Sequence, residues 1–144
     1  LSNWNPCNAE SITDIVTNCP RLLSIGNISN WNLQKCRWVS SLWVGSRDAV
    51  SLDLSNWNTP VLESASNIFA GDRARILDIS NWDTTHITNF SCDLRGRSAK
   101  YPAYIIMDKP EIKFSGDYIF GNISNCKYLV PEEWVDDYKQ HPNW

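Results

Sequence analysis

A three-residue phrase, Ser-Asn-Trp, recurs four times in this chain: LSNWN at 1–5, ISNWN at 28–32, LSNWN at 54–58 and ISNWD at 79–83. Its tryptophans, Trp4, Trp31, Trp57 and Trp82, stand 27, 26 and 25 residues apart and make up half of the chain's eight. A period of that length restricts a chain to stacked architectures. One such unit is too short to bury its own apolar face and must cover it with the next.

Each unit is numbered here from its tryptophan, taken as position 0. Position −3 is always aliphatic: Leu1, Ile28, Leu54, Ile79. Units three and four add Leu52 and Leu77 at −5, giving LDLSNW and LDISNW, an alternation with the period of a β-strand. Unit two reads LLSIGNISNW, with one extra residue that suits a small bulge. After the tryptophan comes a polar turn rich in Asn, Asp, Thr and Pro.

Positions +8, +11 and +12 then carry Ile12, Ile15 and Val16; Val39, Leu42 and Trp43; Ala65, Ile68 and Phe69; and Phe90, Asp93 and Leu94. Spacing of i, i+3 and i+4 predicts one face of a short helix. Gly45, Gly71 and Gly96, all at +14, fit its C-terminal cap. The expected fold is therefore α/β, a stack of strand–turn–helix units of about 26 residues. In it the Asn of each phrase (Asn3, Asn30, Asn56, Asn81) turns inward as a ladder. The tryptophans fill the space between coils, each offering its indole N–H to a polar group at the edge.

The phrases SLDLSNWNTPVLESASNIFAG and ILDISNWDTTHITNFS resemble the BspA-like and mycoplasma-type surface leucine-rich repeats. The tail YLVPEEWVDDYKQHPNW resembles the segment that closes many such arrays, so the resemblance implies an α/β leucine-rich-repeat-like solenoid with a C-terminal helical cap. This divides one continuous array into four repeats over 1–98, a degenerate β-rich stretch over 99–127 and a cap over 128–144. Within the middle stretch Tyr104–Met107 and Ile112–Phe114 read as strands, and NISNC at 122–126 reads as a worn repeat with Cys126 in the tryptophan place. Pro131-Glu132-Glu133 opens a helix whose apolar face is Trp134, Val135 and Tyr138. The resemblance implies a role in adhesion or recognition on a bacterial surface, or in a bacteriophage protein. The start at Leu1, inside a repeat phrase, is expected of a piece of a larger array.

Composition narrows the function classes. A net charge of −3 with scattered Lys and Arg gives no basic face for nucleic acid, and no apolar run matches a membrane span. Cys7, Cys19, Cys36, Cys92 and Cys126 are dispersed, without the paired spacing of a zinc site. Buried thiols are the plain reading, with a Cys7–Cys36 bridge between neighbouring units as the alternative. His86 and His141 are the only histidines; His86 with Cys92 lacks the third group that would orient a catalytic pair. Phosphate-binding, nucleophile-elbow and metalloprotease motifs are missing from the sequence. The expectation is no enzyme, no cofactor and no metal.

Outward strand positions form the expected ligand face: Ser51, Asp53, Arg75, Asp78 and Asp108. Asp53 and Asp78 hold the same place in consecutive units, about one strand spacing apart. Two carboxylates are fewer oxygens than a calcium site needs. Trp38, Tyr101, Tyr104 and Tyr118 are spare aromatics, assigned to the core or to a sugar-stacking or protein-binding patch. Sequons at Asn27, Asn89 and Asn122 matter only on a eukaryotic secretory route. The reading is a non-catalytic recognition or adhesion module, extracellular on a cell surface or virion, that binds a protein or glycan along one face. The alternative is a structural spacer or virion assembly protein touching only sister subunits, so a homo-oligomer is among the partners considered.

Overall fold

The computed structural model describes residues 1–19, 21–22, 25–44, 51–70, 76–92, 103–107 and 125–140. Among them, successive units add parallel strands to three sheets. The first sheet orders β1 (Ser11–Thr13), β3 (Trp38–Ser40), β6 (Ser64–Ser66) and β9 (Asn89–Phe90). The second orders β2 (Val16–Thr17), β4 (Trp43–Val44) and β7 (Phe69–Ala70). The third orders β5 (Ser51–Asp53), β8 (Ile76–Asp78), β10 (Ala103–Ile106) and β11 (Cys126–Leu129). Register follows the repeat: Ile12 lies opposite Val39, Val39 opposite Ala65, and Ala65 opposite Phe90.

Among the described residues, the helix expected after each tryptophan does not form. Positions +7 to +9 and +12 to +13 are strands instead, separated by a corner at +10. Asp14, Ser41 and Asn67 make that corner with φ of 53°, 48° and 49°. A left-handed residue turns the strand sharply, and Asn and Asp tolerate that conformation better than most side chains. The corner shifts the in–out alternation, so +8 and a residue one or two past the corner both face the core. Ile12, Val16, Val39, Leu42, Ala65 and Ile68 are accordingly buried. A bent strand has imitated the spacing of a helix. Gly45, Gly71 and Gly96 lie outside the described residues.

Two tight turns complete each unit. The backbone N–H of each phrase tryptophan donates to the carbonyl at −3, with N···O distances of 3.0–3.1 Å. The N–H at +5 (Ala9, Cys36, Leu62, Ile87) donates likewise to the carbonyl at +2. Each bond spans the four residues of a β-turn.

Inside, Trp31, Trp57 and Trp82 are stacked. Ring centroids lie 5.9 Å apart at 10° for Trp31–Trp57 and 5.6 Å apart at 6° for Trp57–Trp82. The indole Nε1 of Trp57 donates to the Ile28 carbonyl and that of Trp82 to the Leu54 carbonyl, both at 2.8 Å. Each of these tryptophans thus binds the unit before it. Trp31 Nε1 is buried without a hydrogen-bond partner among the described residues. Trp4, in the first unit, meets Trp31 edge-on at 84° and is 43% exposed. At the other end Trp82 packs edge-on against Phe90.

Strand β10 holds Ile105 opposite Leu77, so its chain continues the third sheet without an SNW phrase, as the run Tyr104–Met107 suggests. Cys126 is not in a tryptophan place: it begins β11, opposite Ala103. Ile112–Phe114 lies outside the described residues. The C-terminal helix forms as a 3-10 turn, Glu132–Trp134, running into α1, Val135–Gln140. Tyr138 is buried, while Trp134 packs half-buried against the core.

Candidate recognition face

The phrase itself resolves into three jobs. At −4, Asn27, Asp53 and Asp78 each accept through Oδ1 from both the backbone N–H and the hydroxyl of the serine at −2 (Ser29, Ser55, Ser80), at 2.6–3.1 Å. These are Asx turns, in which a short polar side chain satisfies a backbone donor as the chain leaves the strand. The asparagine at −1 is exposed in all four units, so the expected inward ladder of Asn3, Asn30, Asn56 and Asn81 does not form. The tryptophan at 0 is buried in units two, three and four.

This alters the meaning of the residues expected to bind a ligand. Asp53 and Asp78 are opposite one another in the parallel register of β5 and β8, as their equivalent positions predict. Each has one oxygen engaged by its own serine, which gives the pair a structural task the alternation does not reveal. Ser51 lies in β5 opposite Ile76. Arg75 and Asp108 lie outside the described residues. A second set of Asx turns comes after the tryptophan, with Asn32 Oδ1 accepting from Gln34 N–H and Asp83 Oδ1 from Thr85 N–H.

A different face emerges on the first sheet. Its inward positions are Ile12, Val39, Ala65 and Phe90, all buried. Its outward positions form two rows across the strands: Ser11, Trp38, Ser64, Asn89 and, two residues on, Thr13, Ser40, Ser66. All but Trp38 are small or carry a hydroxyl or amide. Trp38 is 39% exposed, which places it on the surface rather than in the core. Of the other spare aromatics, Tyr104 is half-buried in β10, and Tyr101 and Tyr118 lie outside the described residues.

Several contacts fix Trp38. The Arg37 guanidinium sits 4.5 Å from its ring centroid. Arg37 is itself held by Glu63 Oε1, at 2.9 Å from Nε and 2.6 Å from Nη2. The amides of Arg37 and Trp38 both donate to the Glu10 carbonyl, and Cys36 Sγ donates to the Trp38 carbonyl at 3.3 Å. Burial pushes the Cys36 thiol up from its ordinary pKa, outweighing its backbone hydrogen bonds to Trp38 and Ile12. The Cys126 thiol is raised by burial as well.

All five cysteines are thiols, so the Cys7–Cys36 bridge does not form. His86 is exposed in the turn after Thr84, whereas Cys92 is buried. Among the described residues no three His, Cys, Asp or Glu side chains cluster as metal ligands, and no helix is long and apolar enough to cross a membrane.

Residues 1–100 match the family described as Mycoplasma protein of unknown function, DUF285. The chain belongs to this family. The matched span contains all four tryptophan-centred phrases. No curated protein matches the chain. No solved structure matches it either.

Proposed function

We propose that this DUF285 chain is a non-catalytic recognition or adhesion module, displayed on a cell surface, that binds a protein or glycan along an outer sheet face. The leucine-rich-repeat-like solenoid belongs to the same proposal, in a form whose units carry strands on the side where a helix is usual. The supporting observation is the outer face of the first sheet. Its four parallel strands present two rows of exposed or half-exposed polar residues around one exposed tryptophan. Repeat stacks bind along extended faces.

Membership of a Mycoplasma-associated family favours a bacterial surface over a virion. A second reading, a structural spacer or assembly protein, draws support from exposed apolar residues near the stack's two ends: Leu1 and Trp4 in the first unit and Leu129 on the last strand. Binding of the labelled chain to whole host cells and to glycan and protein arrays, with its mass measured by light scattering, separates the two. Saturable binding by a monomer supports recognition. Self-association without binding to any surface supports assembly.

A further inference from the structure

We propose that Trp38 is the centre of a glycan-binding site, a platform on which a neutral pyranose ring stacks while the hydroxyl and amide side chains around it bond the sugar's hydroxyls. The inference rests on the recognition reading and names its ligand class and its face. A single exposed apolar residue ordinarily means little. Trp38 differs in where it stands and how firmly it is held. It lies on β3, the second of four strands, and is flanked in its own row by Ser11 and Ser64. Serines are too small to cover an indole, which leaves ring surface open between them.

One face of the ring is backed by the Arg37 guanidinium, itself clamped by Glu63. A ring so fixed loses little conformational freedom when a ligand arrives, which is the condition for useful affinity from a small contact. Aromatic faces carry negative charge density and attract the weakly positive C–H edges that a pyranose presents on its apolar side.

The surroundings select the ligand class. The rows around Trp38 contain Ser11, Thr13, Ser40, Ser64, Ser66 and Asn89, without a charged or apolar member. Arg37, the nearby cation, is neutralised by Glu63. A protein interface is typically built around an apolar core, and among the described residues these two rows hold no second apolar side chain. A sialylated or sulfated glycan calls for an unpaired cation. Repeating hydroxyls about one strand spacing apart suit a neutral, extended oligosaccharide.

The test is a glycan array followed by calorimetry on the best neutral oligosaccharide, with the chain as it is, Trp38→Ala and Trp38→Phe. Thermal unfolding and circular dichroism of each variant are compared first. If Trp38→Ala fails to fold, Trp38→Phe alone decides, with weaker binding supporting the site and unchanged binding opposing it. The expected result is a neutral-glycan ligand, binding weakened about tenfold or more by Trp38→Ala, and an intermediate loss for Trp38→Phe. Glycan binding indifferent to both substitutions overturns the site but leaves recognition standing. Cell binding that survives glycosidase and is destroyed by protease points to a protein partner, and it too overturns the site without touching recognition. Binding to nothing, by a chain that self-associates, overturns both this inference and the recognition reading.

Discussion

At the scale of single residues, the three stacked tryptophans occupy equivalent places yet are not energetically equivalent. Trp57 and Trp82 each donate a buried hydrogen bond to the preceding unit, whereas Trp31 Nε1 is a buried donor without a partner among the described residues. Replacing Trp57 by Phe removes a satisfied bond; replacing Trp31 by Phe removes an unsatisfied donor. Chemical denaturation should therefore find Trp57→Phe more destabilising than Trp31→Phe, by about 1–2 kcal/mol. Equal losses would mean the indole bonds contribute nothing. Asp53 gives a second asymmetry. Asp53→Asn keeps the Oδ1 acceptor, and Asn27 already fills that place in unit two, so its stability should barely change. Asp53→Ala loses both serine bonds and should cost about 1–2 kcal/mol. An Asp53→Asn variant as unstable as Asp53→Ala would contradict the Asx-turn role. Cys36 supplies a pH dependence. Its folded pKa lies above the unfolded value, so above about pH 8.5 the unfolded chain releases a proton that the native one keeps. That stability is complete below this pH and declines as pH rises through the folded pKa. The denaturation midpoint should fall in alkali, and fall less in Cys36→Ala.

At the scale of elements, the left-handed corner at +10 sets the path of the chain beyond each tryptophan. Asn67→Gly should be nearly neutral, while Asn67→Val should cost about 1–2 kcal/mol, because a β-branched side chain crowds the backbone at φ of 49°. Equal tolerance of both in urea titrations would mean that the corner is not strained. The same corner shows how far the fold is legible in the sequence. The strand before each phrase, Leu52 and Leu77 at −5, reads directly because its alternation is unbroken. Pro131 and its two glutamates announce the closing helix for an equally local reason. Ile12, Ile15 and Val16 mislead because one left-handed residue between two strands leaves apolar residues at helical spacing. The consequence reaches the site. With +7 to +9 assigned to a helix, Ser11, Trp38, Ser64 and Asn89 do not form a row, and Trp38 has no visible neighbours. Asp53 and Asp78 do stand opposite each other, as alternation predicts, but their engagement by Ser55 and Ser80 depends on turn geometry that alternation does not encode.

At the scale of the molecule, stability is the sum of one unit resting on the next, through sheet hydrogen bonds, stacked indoles and shared aliphatic rows. The C-terminal helix packs onto the core. Tyr138 is its buried residue, and Tyr138→Ala should cost about 3 kcal/mol by opening a cavity against the core. A small loss by denaturation would mean the helix is an appendage rather than a cap. The most direct test of the stack is backbone NMR of the isotopically labelled chain over Ser11–Thr13, Trp38–Ser40 and Ser64–Ser66. Stacked strands predict extended-strand carbon shifts in all three segments. They also predict nuclear Overhauser effects linking Ile12 to Val39 and Val39 to Ala65, the parallel register partners. Helical shifts in these segments, or extended shifts without those cross-unit contacts, would contradict the stack.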